Sequence, residues 1–294
     1  MSSSSQLTFG PPDSQWIYDR VSRTYDLSRR DLDGSSPPQA SQSIALTQGP
    51  ADTSIVIAPA ATALVVIDMQ NFFLHPSCRA HPTGLEAVEP LLKTIAHCRR
   101  TGVQVIWLNW GLTEDDLAKM PAGVLRGFAK AVIAAGDASG NEANKNEEEE
   151  KVIQSLPAVV AKSGLGVDLG DGKGRCLVAG EWNTQLYEPL ADVVDDGKDI
   201  HCAKNRMSGL WCEAQPLWEH LTTRSTKTTT LLFAGVNTDQ CVLGTLTDAY
   251  NAGWDCVLVE DCCATTTKGA KEVCSANVGN NYGFVIDSRT FTAA

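Results

Sequence analysis

From Ala61 onward the chain alternates between two hydrophobic textures. Short runs of nearly continuous apolar residues, TALVVID, VQVIWLN, DIHCAK, TTLLFAG, DCVLVED and FVIDSRT, have strand length. A strand with one wet face would alternate, so runs of this kind predict strands covered on both sides. Between them apolar residues recur at helical spacing, in GLEAVEPLLKTIAHCRR, EDDLAKMPAGVLRGFAKAVIA, AQPLWEHLTTR, QCVLGTLTDAYNA and TKGAKEVCSANVGNN. Strand and helix in turn imply parallel pairing through crossover helices. The fold class expected is α/β, a doubly wound three-layer α/β/α sandwich around a six-stranded parallel sheet, one strand for each run.

Two segments depart from this rhythm. Residues 1–60 are poor in core material: MSSSSQLTFGPPDSQ predicts a disordered start, and SRTYDLSRRDLDGSSPPQASQS an extended N-terminal arm with turns at Gly34-Ser35 and Pro37-Pro38. SIVIAP is a short strand candidate closing that region. Residues 61–294 then form one domain, with an inserted loop or lid at about 136–198. That interval pairs the polar run GDASGNEANKNEEEEK, a solvated surface, with the glycine-rich GLGVDLGDGKGRC, a hairpin suited to covering an active site.

Composition narrows the partners. A net charge of -11 argues against nucleic acid, which needs a clustered basic footprint, and favours a small-molecule substrate. The opening residues have no basic or apolar signal region, and no run is long enough to span a membrane. The ten cysteines lie in apolar runs with no CxxC spacing, which fits reduced thiols and a cytoplasmic location. GLGVDLG has the wrong spacing for a dinucleotide fingerprint, and GDGKG lacks the Ser or Thr of a phosphate loop. Five histidines without an HxH or HExxH pair give no zinc motif, and His201 falls inside a strand pattern. Neither a cofactor nor a metal is expected.

An open parallel sheet binds its ligand beyond the carboxyl ends of its strands. The residues expected there are Asp68, Asn109, Lys204, the stretch Asn237-Thr238-Asp239-Gln240-Cys241, and Asp261. Singly, Asp68 could cap a helix, Lys204 could be a solvated cation and Cys241 a small core residue. Together they bring a carboxylate, an ammonium and a thiol to one edge, the parts of a nucleophile with its base and electrostatic partner. Cys241 falls in the first turn of a helix, where the dipole and a nearby Lys are expected to lower its pKa and favour thiolate.

ALVVIDMQNFF, KNRMSGLW and AGVNTDQCVLGTLTDAYNAGWDCVLVED resemble the three signature blocks of the isochorismatase-like cysteine hydrolases, over roughly Ala61 to Phe291. That superfamily includes nicotinamidase, N-carbamoylsarcosine amidohydrolase and ureidoacrylate amidohydrolase. The resemblance implies a catalytic triad of Asp68, Lys204 and Cys241, a cis peptide at Val236-Asn237, and an oxyanion hole made by the backbone N–H groups of Asn237 and Cys241. It implies hydrolysis of a small amide, ureide or carbamoyl compound through a thioester, without a metal, in a homo-oligomer such as a dimer or tetramer. Two departures narrow the substrate. MQNFFLHPSCRAHP offers His75 and His81 without the Asp-x-His metal motif of nicotinamidases, and the chain keeps the Cys that isochorismate-cleaving relatives commonly lack. The alternatives are vinyl ether hydrolysis of isochorismate and, in another class, a binding or effector protein without turnover. Asn109, at a strand end, is a candidate polar contact, and Trp110, Trp182, Asn183, Arg206 and Trp211 are candidates for the pocket wall, each Trp equally able to be core.

Overall fold

Every residue of TALVVI and TLLFAGV is buried, so these runs can only be interior strands. The computed structural model describes residues 5–12, 14–29, 40–129, 164–223 and 227–294. The N-terminal strands β1 (Gln6–Phe9), β2 (Trp16–Asp19), β3 (Thr24–Asp26), β4 (Gln42–Ala45) and β5 (Ser54–Ile57) form one five-stranded sheet, in the order β1-β2-β3-β5-β4. The six strands β6 (Thr62–Ile67), β7 (Gln104–Trp110), β8 (Ile200–Lys204), β9 (Thr230–Val236), β10 (Asp255–Ala264) and β11 (Phe284–Ile286) form the second, in the order β11-β10-β9-β6-β7-β8. All of its pairings are parallel, as the continuous apolar runs require.

Helices α1 (Asn71–Leu74), α2 (Pro82–Glu86), α3 (Val88–Thr101), α4 (Glu114–Ala118) and α5 (Ala122–Phe128) lie before residue 130. Helices α6 (Pro216–Thr223), α7 (Leu243–Ala252), α8 (Ala270–Asn277) and α9 (Ser288–Ala293) follow. Helix α3 buries Val88, Leu91, Ile95 and Cys98, the stripe its spacing predicts, and stops at Gly102, whose φ of 88° suits glycine. The chain leaves β6 outward through β7 and β8, then returns to lay β9 on β6's other side. The crevice between the carboxyl ends of β6 and β9 is therefore the topological switch point, where such sheets place ligands.

The structure differs from the sequence reading in several places. Residues expected as an extended arm instead build the five-stranded sheet, with Leu27, Ile44, Ile55 and Ile57 fully buried. What holds it is distant in sequence. Asp255, at the amino end of β10 and 2% exposed, takes both Nη atoms of Arg29, Trp16 Nε1 at 2.8 Å and Thr230 Oγ1 at 3.1 Å. The first four residues and 30–39 of that arm lie outside the described residues, as do the acidic run at 136–151 and the end of the helix expected over EDDLAKMPAGVLRGFAKAVIA. The described part of that helix is two short ones parted at Pro121, which disfavours helix in the residue before it. Strand β10 runs past Asp261 to Ala264 through a register shift, and Asp261 accepts the N–H of Ser288 at 2.7 Å, anchoring α9 rather than reaching the crevice. The glycine-rich stretch does fold back on itself, with Cys176 N–H to Val167 O at 2.8 Å and Leu169 N–H to Gly174 O at 3.0 Å. All ten cysteines are free thiols, and no helix among the described residues is long and apolar enough to cross a membrane.

Because Asp255 neutralises a guanidinium that is only 15% exposed, Asp255→Ala strands a buried charge. A loss of about 3 kcal/mol is expected, read as a lowered midpoint in urea unfolding, with hydrogen exchange rising first in β2 and β3.

Candidate active site

Three strands each present one polar residue where their ladder ends. Asp68 follows β6 at φ 54°, in the left-handed region that Asp tolerates better than most side chains. Its N–H still reaches Leu108 O across the sheet at 3.0 Å, while its side chain is fully buried. On the neighbouring strand, a Cβ at Gly235 would stand 2.0 Å from Ile67 O, so glycine alone lets β9 approach β6 this closely. The next peptide, Val236-Asn237, is cis. A π-helical turn, Thr238–Val242, follows, closed by Val242 N–H to Asn237 O at 3.2 Å, and carries Cys241 into α7.

Lys204 ends β8, and β7 lies between it and β6. Its side chain must cross β7, and Trp110 supplies the surface: Nζ stands 4.1 Å from the centre of that ring. Beyond it the ammonium meets Asp68 Oδ2 at 2.9 Å, Cys241 Sγ at 3.3 Å and the carbonyl of Arg206 at 3.1 Å. Three N–H donors thus face a carboxylate, a sulfur and a carbonyl. The contact with Asp68 is an ion pair by distance, and neither carboxylate oxygen has a well-aligned hydrogen-bond donor among the described residues.

The electrostatics correct one expectation. Burial pushes the Asp68 carboxyl above its ordinary value, against the opposing pull of Lys204. Burial also pushes the Cys241 thiol up to about 12, the Asp68 charge adds to the rise, and Lys204 opposes it. The helix start and the lysine therefore do not yield a resting thiolate, because desolvation and the facing carboxylate outweigh them. Burial sends Cys176, Cys202 and Cys263 to about 12 as well, so acidity does not mark Cys241; its neighbours do.

The remaining candidates separate. Trp110 lies under Lys204 with its Nε1 buried and without a partner among the described residues; Asn109, the preceding residue of β7 and so on the other face of the sheet, has an Oδ1 likewise buried and without a partner there. Arg206 stacks over Trp211 at 5.1 Å and donates to Asn205 O at 2.7 Å, while Trp211, 45% exposed, donates to Asn205 Oδ1 at 3.1 Å. The other two expected wall residues have contacts of their own. Trp182 packs its ring edge-on against His75 and accepts Asn71 Nδ2 at 3.0 Å. Asn183 is fully buried and its amide clamps the glycine-rich loop, accepting Leu177 N–H and donating to the carbonyls of Lys173 and Arg175. A loop of glycines has backbone groups that need partners, and that demand takes the whole side chain.

Two residues near the crevice had no signal in the hydrophobic pattern. Gln70 brackets Trp110 like an extra ladder rung, accepting its N–H at 3.0 Å and donating to its carbonyl at 2.8 Å. His81 reaches Asn237 Oδ1 at 2.6 Å, while His75 turns to Ser77 Oγ at 2.7 Å. The two histidines share no ligand position, and no cluster of three or more His, Cys, Asp or Glu among the described residues could hold a metal ion.

A family model described as the isochorismatase domain matches residues 62–290. The ureidoacrylate amidohydrolase RutB of Cronobacter sakazakii is 26% identical over 260 residues, covering 85% of this chain and 94% of that protein. An isochorismatase family protein from Desulfovibrio vulgaris superposes with a TM-score of 0.53 at 19% identity, over 78% of this chain and 95% of its own. A cysteine hydrolase from Pseudomonas syringae pv. phaseolicola gives 0.52 at 18% identity, over 85% and 96%. Those two structures share the fold; the family match spans most of the chain and includes every strand of the parallel sheet. The chain belongs to the isochorismatase family of hydrolases.

Proposed function

We propose that the chain hydrolyses a C–N bond of a small amide, ureide or carbamoyl compound through a thioester on Cys241. The observation that carries this reading is the buried ammonium of Lys204, 2.9 Å from a carboxylate and 3.3 Å from a thiol. Asp68 takes the Cys241 proton as the sulfur attacks the substrate carbonyl, and Lys204 steadies whichever of the two is anionic. The N–H groups of Asn237 and Cys241 hold the developing oxyanion. Asp68 then gives its proton to the leaving nitrogen and the C–N bond breaks. Water, deprotonated by Asp68, attacks the thioester, and the carbon–sulfur bond breaks to release the acid and the thiol.

A buried polar atom beside the ammonium favours this substrate class. Trp110 Nε1, on the ring under the Lys204 ammonium, is a buried donor without an acceptor among the described residues. A ureide or amide offers a carbonyl that can accept from it. The RutB relative, a ureidoacrylate amidohydrolase, points the same way. Arg206, whose carbonyl accepts from the Lys204 ammonium, and Trp211 stacked on it would line the way in for such a substrate.

An ammonia-release screen over small amides, ureides and carbamoyl compounds tests the reading. Turnover of at least one member is expected, with Cys241→Ala lowering it about 10⁴-fold or more. No ammonia from any member, with isochorismate consumed equally by wild type and Cys241→Ala, would replace the thioester scheme with vinyl ether hydrolysis. Alkylation of Cys241 by iodoacetamide reads its protonation directly. With the thiol at about 12, the rate should climb steadily as pH rises from 7 to 10 without a plateau. Asp68→Asn removes a charge that raises the thiol pKa, so alkylation at pH 8 should quicken even as hydrolysis is lost. Lys204→Met removes an opposing charge, and both rates should fall. Slower alkylation in Asp68→Asn would mean that the carboxylate acts on the sulfur chiefly as the base that takes its proton, and not chiefly as a charge that raises its pKa.

A further inference from the structure

His81 lies far from the triad in sequence, between α1 and α2, and its ring is 1% exposed. Its Nδ1 accepts the N–H of Gly84 at 2.9 Å, as the N-cap of α2. A backbone N–H has only a proton to offer, so Nδ1 is the unprotonated nitrogen and Nε2 carries the hydrogen of the neutral ring. Burial pushes this imidazole's pKa down, with the charge of Arg79 adding to the fall and the Asn237 bond opposing it, so the neutral form is favoured. Nε2–H therefore donates to Asn237 Oδ1, at 2.6 Å, across 156 residues of sequence. Gly84 fits this arrangement tightly, since a Cβ there would stand 2.7 Å from Nδ1 and 2.6 Å from Leu74 Cδ2.

Helix capping accounts for Nδ1 and not for Nε2. The second bond fastens the residue that joins β9 to the nucleophile's turn. The Asn237 carbonyl is already taken by the N–H groups of Gln240 at 3.0 Å and Val242 at 3.2 Å. His81 fixes its side chain, and the residue is then held from two directions.

We infer that His81 is a positioning residue: by gripping the Asn237 side chain it sets the direction of the Asn237 N–H that receives the oxyanion. This rests on the thioester reading above. Through the neutral, single-tautomer ring, the loop before α2 reports to the transition state without touching substrate. Misplacement of a donor by a fraction of an ångström weakens it chiefly when charge develops, so the effect falls on the rate of attack and not on ground-state binding.

Two substitutions separate the roles. His81→Asn keeps a good N-cap acceptor for Gly84 but is too short to reach Asn237, whereas His81→Gln places an Nε2 donor as many bonds from the backbone as the imidazole does. The probe is p-nitrophenyl acetate, which acetylates an active-site thiol and releases nitrophenolate whatever the natural substrate is. Cys241→Ala serves as the blank. For His81→Asn the acylation rate constant should fall about tenfold to a hundredfold, with KM within about twofold and the melting temperature close to wild type. His81→Gln should restore most of the rate. In an Asn237→Ala background His81→Asn should have no further effect, because the bond is already gone. Wild-type acylation by His81→Asn would overturn the inference and leave the thioester intact, as would an equal loss with and without Asn237, or a loss that tracks melting temperature and is not rescued by Gln. Absence of Cys241-dependent acylation in the wild type would instead defeat the thioester reading, and the inference with it.

Discussion

The buried ammonium of Lys204 is the constraint around which the rest of the site is arranged. A cation with no exposure is expensive to bury unless its partners are close and its donors are satisfied. Lys204 meets that condition only by crossing a whole strand. It starts on β8, the edge of the sheet, and its partners sit at the ends of β6 and β9. The crossing explains why β7 ends in an aromatic ring, and why Gln70 grips the backbone of that same Trp110 from both sides.

The same crevice needs β9 close to β6, and Gly235 is where that closeness is achieved. At the opposite end of the sheet the chain concentrates a different ion pair. Asp255, with Arg29, Trp16 and Thr230, ties the five-stranded sheet to the amino end of β10. Stability and candidate chemistry thus sit at opposite ends of the strands. The N-terminal sheet can secure β10 and β11 without placing a side chain in the crevice, and its aromatic residues Trp16 and Tyr25 pack on Phe284 of β11.

The parallel sheet and the residues at its strand ends were legible in the sequence because their cause is local. Continuous apolar runs mark doubly covered strands, and Asp68, Lys204 and Cys241 sit where those runs stop. The five-stranded sheet was not legible, since β1 to β4 are three or four residues each, too short to show a pattern in the sequence, and its anchor, Asp255, is 226 positions from Arg29 and 239 from Trp16. Asn183 looked available because its own neighbourhood is polar; only the folded loop shows three backbone groups claiming it. His81 carried a metal-like residue type in a loop, and nothing in its spacing points to Asn237. The thiol's acidity was misread for a related reason. Helix position is visible in sequence, whereas depth of burial and the facing carboxylate arise only after β6, β8 and β9 are side by side.

That elevated thiol pKa does not oppose the proposed reaction. In the proposed scheme the site starts with one cation, one carboxylate and a neutral thiol. Moving the proton from Cys241 to Asp68 leaves one cation, one thiolate and a neutral acid, so the number of buried charges is unchanged. Desolvation raises both groups in the same direction, and what governs the transfer is the difference between them. Lys204 stands within 3.3 Å of both and loses little by exchanging one anion for the other. A substrate carbonyl that drains charge from the sulfur into a pair of backbone N–H groups then tips the balance. A thiol held neutral is also a poor target for oxidants and stray electrophiles, so in the proposed scheme burial would not deactivate Cys241 but would reserve it for a ligand that fits.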